Sequence, residues 1–311
     1  MEIGIIGLGK MGGNLARQAL KKRIKVAGFT LEGAPKDLVR AGLEEAKRLQ
    51  DLPRLFKSPR VVLLYVPAGP SVDNILDELT GVLASGDVIA DGGNSYWGDS
   101  IRRQERLLKT GIGFVDLGTS GGVDGALHGA CFMAGGEKDA VKKAEPVLKA
   151  LSVKDGYVHA GPPGSGHFVK LVHNGIEFGM LQAIGEGLDL LENYKDTLNI
   201  RNVLKSWRNG SVIRSWLVDL MHEAYLKEGG LKKIPSYVED TGEVNWLVGD
   251  ALKMEIPIPV ISSAVMQLFA SRDSQKKWAK AVAMMRRGFG GHPYGPSDPV
   301  RRERKEGRVT S

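Results

Sequence analysis

Short apolar runs alternate with helical patterns along the first half of the chain. The runs are rich in β-branched residues and cover residues 2–6, 25–29, 61–66, 88–91 and 114–116. Between them, apolar residues recur at helical spacing, as in 71–84 and 99–109. Strands that alternate with helices in this way predict βαβ units on a parallel sheet. The next residues, 131–160, predict a further mixed α/β part of that sheet.

The pattern changes at a turn-rich joint, Gly161-Pro162-Pro163-Gly164-Ser165-Gly166. Beyond it strand signals nearly vanish, and the apolar spacing predicts helices at 167–193, 199–227, 244–254 and 258–285. The first of these is apolar on more than one face, which is typical of a helix in the core of a domain or an oligomer. We therefore expect an α/β domain at 1–164, an all-α helical domain at 165–292 and a basic tail at 293–311.

A glycine-rich loop follows the first apolar run and precedes the first helical pattern. Its spacing, G-x-G-x-x-G, comprises Gly7, Leu8, Gly9, Lys10, Met11 and Gly12. In this position Gly7 permits a tight turn, Gly9 lets the backbone approach a pyrophosphate, and Gly12 allows close packing of helix on strand. The helix N-terminus then offers N–H groups and a positive dipole end to phosphates. The loop predicts a Rossmann-type dinucleotide-binding domain, followed by the all-α helical domain.

The ends of the later strands are the other expected cofactor contacts: Thr30, Val66, Pro67 and Asn94. An acidic residue at the end of the second strand usually bonds the ribose 2′-hydroxyl of NAD and repels the 2′-phosphate of NADP. Here Thr30 stands at that place. Glu32, two residues on, favours NAD, whereas Lys36 favours NADP. The sequence predicts NAD or NADP and leaves the choice open.

Composition narrows the class of protein. The chain has 311 residues, 42% hydrophobic and 25% charged, which is typical of a globular protein of two domains. It has no apolar stretch of about 18 residues that would span a membrane, and its first residues read as a strand, not as a signal peptide. Cys131 is the single cysteine, which favours a reducing compartment, and we expect a cytoplasmic protein.

The net charge of +7 has a contribution from the tail. The tail's basic residues are mixed with acidic ones and have no interleaved aromatic residues, so a solvated end fits better than a nucleic-acid surface. A basic enzyme can also attract an anionic substrate. The basic residues are Arg301, Arg302, Arg304, Lys305 and Arg308.

Four polar residues form a stripe on the otherwise apolar helix at 167–193. Lys170, His173, Asn174 and Glu177 have the spacing i, i+3, i+4 and i+7, which places them on one helical face. A solvated surface pair is the plain alternative. A buried ionisable group is costly unless it is paired or used, and Gly175 within the helix suggests that something approaches the backbone there. We favour a catalytic role for the stripe.

Two further turns follow strand ends, where open α/β sheets bind ligands. One is Asp91-Gly92-Gly93-Asn94-Ser95 and the other is Thr119-Ser120-Gly121-Gly122. Glycine-rich turns expose N–H groups that can hold a carboxylate. Together with the dinucleotide loop, they predict a site for an anionic substrate.

These motifs in combination resemble the 6-phosphogluconate dehydrogenases, within the wider group of β-hydroxyacid dehydrogenases. The resemblance rests on the dinucleotide loop, the two glycine-rich turns and the segment from Gly166 to Glu177, and it covers most of residues 1–292. The chain length is similar to that of the short, decarboxylating type. The resemblance implies oxidation of 6-phosphogluconate to ribulose 5-phosphate and CO₂ with reduction of NAD or NADP, and it implies no metal.

The resemblance also implies residue roles. Lys170 would be the base that takes the proton of the C3 hydroxyl, and Glu177 would later protonate C1 of the enediol. Burial would lower the pKa of a lysine towards this role. The substrate carboxylate and nearby hydroxyls would be held by Asn94, Ser120, Gly121 and Gly122, and the C3 hydroxyl would be oriented by His173 and Asn174.

Near the C-terminus, Arg286 and His292 match residues that in the family reach into a neighbouring subunit's site. Thr241 resembles a phosphate contact. These matches imply a homodimer or homotetramer whose C-terminal segment completes the neighbour's site. The plain alternative for Arg286 is a helix C-terminus with basic residues and a glycine cap.

Three positions depart from the family's phosphate site. Phe178 replaces a tyrosine, acidic residues stand near Thr241 where a lysine is expected, and Arg272 is only a nearby substitute for an arginine. A related dehydrogenase for a different, unphosphorylated hydroxy acid therefore stays open. A dinucleotide or nucleic-acid binder without catalysis is the third alternative, and the Lys170–Glu177 pair speaks against it.

Overall fold

Eight strands form one sheet, in the order β3-β2-β1-β4-β5-β6-β7-β8. The computed structural model describes residues 1–298, and of Phe289 only the backbone; the basic tail residues named above lie outside them. Every neighbouring pair is parallel except β6 and β7, which are antiparallel. The strands are β1 (Glu2–Ile6), β2 (Lys25–Phe29), β3 (Glu44–Glu45), β4 (Val61–Leu64), β5 (Val88–Asp91), β6 (Gly113–Ser120), β7 (Ala130–Gly136) and β8 (Ser152–Gly161).

Helices connect these strands and follow the sheet. The helices are α1 (Lys10–Lys21), α2 (Lys36–Arg40), α3 (Pro70–Thr80), α4 (Trp97–Leu108), α5 (Gly122–His128), α6 (Lys138–Leu151), α7 (Ser165–Glu192), α8 (Ile200–Arg208), α9 (Trp216–Glu228), α10 (Glu243–Lys253), α11 (Pro259–Arg272) and α12 (Lys277–Gly290), with a 3₁₀ helix at Leu49–Arg54. None of the described helices has the length and apolarity needed to cross a membrane.

The predicted parallel sheet is confirmed, and its core lies on both faces. β1 pairs with β2 on one side and with β4 on the other, so the order in which strands are added to the sheet reverses direction at β1. Successive residues along β1 face opposite sides of the sheet. Ile3 and Ile5 belong to the apolar cluster that contains Leu15 of α1, whereas Ile6 belongs to the cluster that contains Leu76 of α3. Buried apolar residues on both faces explain why these strands read as continuous apolar runs.

Two predicted helices are interrupted in the structure. The segment 199–227 divides into α8 and α9, because Gly210 takes a positive φ of 104° and the Ser215 side chain caps α9 at Val218 N–H. The segment 258–285 divides into α11 and α12, because Asp273 Oδ1 accepts from the N–H groups of Gln275 and Lys276. Because the apolar spacing continues across both breaks, it predicted a single helix in each case.

Helix α7 begins against the sheet. Its first turn lacks a side-chain cap of its own, and Asp116 of β6 takes that role: Oδ1 accepts from Gly164 N–H at 2.7 Å and Oδ2 from His167 N–H at 2.9 Å. Asp116 is fully buried. Gly166 lies so close to the sheet that a Cβ there would come within 2.3 Å of Asp116 O. A carboxylate on a strand thus fixes where the polar stripe of α7 lies.

The chain divides into two compact units. The first comprises Met1–Leu198 with Thr241–Ser263, and so contains the sheet, α7 and α10. The second comprises Asn199–Asp240 and the described residues from Ala264. The expected domain limits at 164 and 292 stay a prediction.

Candidate active site

Lys170 lies on the face of α7 that packs against β6. Its residue is only 9% exposed, and a Cβ built on Gly118 would come within 2.6 Å of Lys170 Cβ. Burial lowers the pKa of the Lys170 amine, and the carboxylates of Glu177 and Glu243 and the Cys131 thiol partly oppose that shift. A lysine of this kind has more of its neutral form at a given pH than an exposed lysine, which is what a base requires.

The predicted stripe forms a connected polar cluster. Lys170 Nζ lies 3.4 Å from His173 Nδ1, and Asn174 Oδ1 lies 3.3 Å from the same nitrogen. Glu177 Oε2 lies 3.8 Å from it. On the other side of the ring, His173 Nε2 lies 3.0 Å from Ser120 Oγ, at the end of β6. The structure therefore brings together five of the predicted residues.

His173 links the stripe to the strand end. Burial, and after it the positive charge of Lys170, lower the pKa of the His173 imidazole. A neutral imidazole can donate from one ring nitrogen and accept at the other. It is therefore suited to orient a ligand hydroxyl between Lys170 and Ser120.

Gly121 and Gly122 follow Ser120 and both take positive φ, 102° and 58°. Gly121 precedes α5, which has no side-chain cap. A Cβ on Gly122 would meet nothing within 4 Å, so this glycine faces open space. As the start of a helix without a side-chain cap, this turn offers backbone N–H groups at the strand end.

The turn that carries Asn94 is held by a buried ionic network. Asp91 accepts from Gly93 N–H at 3.0 Å and from Ser95 Oγ at 2.7 Å, and its Oδ2 lies 3.4 Å from Arg103 Nη1. Asp91 and Arg103 are fully buried. Within this turn Asn94 takes a positive φ of 57°, a conformation that asparagine tolerates better than most residues. The network fixes the backbone from which the Asn94 side chain projects.

A residue that sequence reasoning missed, Glu243, lies beside Asn94. Asn94 Nδ2 donates to Glu243 Oε1 at 2.8 Å, and Thr241 Oγ1 donates to Oε2. The predicted phosphate contact Thr241 is thus bonded to a carboxylate. The only signal in the sequence was the presence of acidic residues where the family has a lysine.

Helix α10, which begins at Glu243, is tied to the same region. The buried Asp250 accepts from Tyr96 Oη at 3.0 Å and from Trp97 Nε1 at 2.7 Å. Leu247 packs against α7 where a Cβ on Gly175 would lie only 2.4 Å from Leu247 Cδ2. The group that approaches the backbone at Gly175 is therefore a leucine of α10, and this glycine is explained by helix packing.

The glycines of the dinucleotide loop have the geometry that their spacing predicts. Gly7 has a φ of 87°, and a Cβ there would lie 2.2 Å from Tyr65 O. A Cβ on Gly12 would lie 2.0 Å from Gly7 O, so α1 packs tightly on the loop. A Cβ on Gly9 would meet nothing within 4 Å. Gly9 begins α1 without a side-chain cap, which leaves its backbone open to an anion.

A cavity of about 1160 Å³ opens at this loop, between the ends of β1, β2 and β4. It lies where the strand order reverses, the place at which such sheets bind dinucleotides. Of the residues predicted to contact a cofactor, Gly7, Gly9, Thr30, Val66 and Pro67 line this cavity. The other predicted cofactor residues, Leu8, Lys10, Met11, Gly12 and Asn94, do not, and the Leu8 side chain is part of the core. Sequence reasoning missed the lining residues Tyr65, Ser71, Asn74 and the segment 45–50.

Both basic side chains that line this cavity have acidic partners. Lys47 pairs with Glu45, and Arg48 pairs with Asp51 at 3.0 Å. Glu32 also lines the cavity, is exposed, and has no hydrogen bond or ion pair with the described residues. Of these three charged groups, only the Glu32 carboxylate lacks a partner among residues 1–298, so a ligand beyond the end of β2 would meet a negative charge.

Arg286 and His292 lie in the second unit, near the end of α12. Arg286 is exposed, and Gly291 caps the helix with a φ of 61° and a bond to Arg287 O. Arg286 therefore lies near the end of a helix with a glycine cap, which is the alternative to a substrate contact that its sequence allowed. Arg272, the substitute phosphate ligand, is paired with Asp240 at 2.6 Å and lies 3.7 Å from Glu239.

Known proteins agree with this architecture. Residues 2–160 match the family described as the NAD binding domain of 6-phosphogluconate dehydrogenase, and residues 166–289 match its C-terminal domain. The YqeC protein of Bacillus subtilis is 41% identical over 293 residues, 94% of this chain and 98% of that protein. The NAD(+)-dependent, decarboxylating 6-phosphogluconate dehydrogenase of Haloferax volcanii is 38% identical over 96% of this chain and its own full length.

Among solved structures, the 6-phosphogluconate dehydrogenase of Plasmodium falciparum superposes with a TM-score of 0.80 at 26% identity. The match covers 96% of this chain and 67% of that one, which has been solved with NADP+ and with 6-phosphogluconate. With both halves matched to the same enzyme, the predicted resemblance is confirmed: the chain belongs to the 6-phosphogluconate dehydrogenase family.

Proposed function

We propose that this chain oxidises and decarboxylates 6-phosphogluconate to ribulose 5-phosphate and CO₂. The observation that carries the proposal is the buried Lys170 amine on one helical face with His173, Asn174 and Glu177. The 38% identity to the decarboxylating enzyme of Haloferax volcanii supports it.

Lys170 is the base of the first step. In its neutral form it takes the proton of the C3 hydroxyl, while C3 becomes a carbonyl carbon. His173, 3.4 Å from Lys170 Nζ and 3.0 Å from Ser120 Oγ, orients that hydroxyl. NAD or NADP, when bound at the dinucleotide loop, supplies the hydride acceptor.

Loss of CO₂ follows because a 3-keto acid places the electrons of the breaking bond onto the new carbonyl. The protonated Lys170 then donates to the carbonyl oxygen and gives an enediol. Glu177, on the same helical face, protonates C1 of the enediol, and the C2 hydroxyl returns its proton to Lys170 as the ketone of ribulose 5-phosphate forms. The 41% exposure of the Glu177 side chain gives it the contact with solvent from which it regains its proton.

The cofactor we propose is NAD. Glu32 lines the cavity without a hydrogen-bond or ion-pair partner in the described part of the chain, and its carboxylate would accept from a ribose hydroxyl and repel a 2′-phosphate. The basic residues that could hold that phosphate, Lys47 and Arg48, already pair with Glu45 and Asp51. The Haloferax volcanii relative, which is named NAD(+)-dependent, supports the same choice.

We also propose a homodimer or homotetramer in which Arg286 and His292 reach a neighbour's site. Exposed apolar side chains on α7 and α12 support an assembly, among them Ile176, Met180 and Trp278. Light scattering at micromolar concentration tests it. A monomer with full activity would remove the cross-subunit role.

The test of the reaction is to incubate the protein with 6-phosphogluconate and each cofactor, and to follow reduced cofactor and CO₂ together. We expect one CO₂ per reduced cofactor. Cofactor reduction without CO₂ would defeat the decarboxylation step.

A second candidate is a dehydrogenase for an unphosphorylated hydroxy acid. It is favoured by Phe178, by the bond from Thr241 to Glu243, and by the pairing of Arg272 with Asp240, which together weaken a phosphate site. A panel of gluconate, 3-hydroxyisobutyrate and 6-phosphogluconate separates the two. A higher kcat/KM for either unphosphorylated acid would favour this candidate.

A further inference from the structure

We propose that Glu243 is a positioning residue, whose carboxylate turns the amide nitrogen of Asn94 towards α10 and so presents the Asn94 carbonyl oxygen to a substrate hydroxyl. The proposal rests on the proposed function in one respect, namely that Asn94 contacts the hydroxy acid. It assigns a role to a residue outside the predicted catalytic set.

The hydrogen bond between the two side chains can run in only one direction, from the Asn94 amide to the Glu243 carboxylate. Asn94 Nδ2 lies 2.8 Å from Glu243 Oε1. An ionised carboxylate has acceptors and no donor, whereas a carboxamide has an acceptor on one end and two donors on the other. A reversed amide would set oxygen against oxygen, so the carboxylate decides the assignment that is otherwise ambiguous for asparagine. The Asn94 carbonyl oxygen must then face away from Glu243.

Glu243 can impose this sense because the Asn94 backbone is fixed independently. Asp91 and the buried Arg103 hold the turn, and Asn94 itself takes the left-handed conformation. Only the side-chain torsions of Asn94 are left to set. A single charge-assisted hydrogen bond is enough to select among them.

Glu243 is itself immobilised on both sides. Its Oε2 accepts from Thr241 Oγ1, and its backbone begins α10, where the helix dipole favours a negative charge. Asp250, further along α10, is bonded to Tyr96 and Trp97, which directly follow the Asn94 turn. These bonds tie α10 to the turn and so hold Glu243 beside Asn94.

An acceptor at Asn94 selects the ligand group that it meets. A carbonyl oxygen bonds a hydroxyl donor and repels a carboxylate oxygen. The Asn94 carbonyl oxygen therefore serves a hydroxyl of the hydroxy acid, whereas the substrate carboxylate needs donors such as the N–H groups and hydroxyl of Ser120, Gly121 and Gly122. This is narrower than the role that the resemblance implies for Asn94, which covers the substrate carboxylate as well as nearby hydroxyls.

The test is a double-mutant cycle with wild type, N94D, E243Q and N94D/E243Q. In N94D two carboxylates face each other, and we expect kcat/KM to fall about 100-fold or more. In E243Q the glutamine can bond either end of the asparagine amide, so we expect a loss of only about 3- to 10-fold. In the double variant the glutamine amide donates to the new carboxylate, whose other oxygen again presents an acceptor. We expect it to recover at least about tenfold over N94D.

A matched control keeps the rescue specific. Glu137 is an exposed glutamate that precedes α6 and takes no part in the site. N94D/E137Q should be no better than N94D. A double variant N94D/E243Q that is as poor as the product of the two single losses would overturn the proposal.

The substrate in this cycle is whichever acid of the panel the wild type oxidises fastest. If the wild type does not oxidise 6-phosphogluconate, the proposed function fails, but the cycle can still be measured with another acid of the panel. A second measurement needs no turnover. The side-chain amide signals of Asn94 in a ¹⁵N–¹H spectrum are identified by their loss in N94D, and bonding to a carboxylate shifts one amide proton downfield. We expect that shift to collapse in E243Q; an unchanged signal would overturn the proposed orientation.

Discussion

Gly118 of β6 lies directly against Lys170 of α7, so closely that a Cβ on the glycine would come within 2.6 Å of Lys170 Cβ. The same Cβ would lie 2.7 Å from Gly166 O, which is backbone and yields little. The buried position of the candidate base therefore depends on a strand residue without a side chain.

We expect Gly118→Ala to displace Lys170 and to lower kcat by about 10- to 100-fold, since small misplacements of a catalytic group are costly. The overpacked contact should also destabilise the fold by about 1–3 kcal/mol. Steady-state kinetics and thermal unfolding measure the two effects. The matched control is Gly185→Ala on α7, where a Cβ would meet nothing within 4 Å; it should keep full activity. Equal kinetics for the two variants would show that Lys170 does not depend on this contact.

Replacing Lys170 should separate activity from stability. Lys170→Met should lower kcat/KM by about 10²–10⁴-fold, the usual contribution of an acid–base group. It should also raise the free energy of unfolding, by about 1 kcal/mol, because a buried amine is removed from an apolar site.

The gain in stability should depend on pH. Burial lowers the pKa of Lys170 in the folded state, so folding disfavours the charged form. That cost is fully present below the folded pKa and disappears as pH rises through the unfolded value of 10.5. Unfolding of Lys170→Met and wild type at two pH values checks this sign, with the exposed Lys142→Met as control. A gain that grows towards high pH would contradict it.

Asp116 should be more important for stability than its position inside a strand suggests. Asp116→Asn leaves one acceptor for two N–H groups at the start of α7, and its own amide then faces a donor. We expect a loss of about 1–3 kcal/mol in the free energy of unfolding, with reduced kcat because the helix carries Lys170. Asp139→Asn, at an exposed first-turn position of α6, should change stability by less than about 0.5 kcal/mol. Similar melting curves for both variants would exclude the capping role.

The sheet and the helical face of Lys170 were predictable because their signals are local. Apolar runs mark buried parallel strands, and the spacing of Lys170, His173 and Glu177 places them together on any α-helix. The dinucleotide loop was predictable because each glycine has a steric reason that depends on its neighbours alone, as at Gly7 and Gly12.

The contacts that finish the site were not predictable, because they join distant parts of the chain. Asn94 and Glu243 are separated by 149 residues, and Asp116 reaches a helix that starts nearly fifty residues later. In the sequence, Asp116 is one acid after a short apolar run, and its bonds to two backbone N–H groups have no pattern. The segment at 45–50, which lines the cavity, runs from the two-residue strand β3 into the 3₁₀ helix at Leu49–Arg54, and elements this short have no apolar period in the sequence.

The cofactor preference should depend on Glu32. In wild type we expect a higher kcat/KM with NAD than with NADP. Glu32→Gln removes the repulsion of a 2′-phosphate, and it should raise the NADP-to-NAD ratio of kcat/KM by about 3- to 10-fold. Glu44→Gln, on the exposed strand β3 and outside the cavity lining, is the control and should leave the ratio unchanged. A wild type that prefers NADP, or an unchanged ratio in Glu32→Gln, would locate the selectivity elsewhere.

The pH dependence of oxidation should report the environment of Lys170. The base must be neutral, so kcat/KM rises with pH through the pKa of Lys170, which burial holds below that of an exposed lysine. The ionisable groups that face it are His173 and Glu177 on α7, Cys131 on β7 and Glu243 on α10, while β6 offers the uncharged Gly118.

Removing the negative charge of Glu177 should therefore shift the acid limb of the pH profile, the range over which kcat/KM rises with pH, in a defined direction. The Glu177 carboxylate stabilises the protonated amine, so Glu177→Gln lowers the pKa of Lys170 further and shifts the acid limb to lower pH. Product formation should fall at every pH, because the C1 proton donor is lost, whereas the first turnover of cofactor reduction should persist. Stopped-flow measurement of the first turnover across pH resolves the limb. Glu186→Gln, on the exposed far part of the same helix, should leave it in place. A shift towards higher pH in Glu177→Gln would show that Lys170 is not the group that titrates.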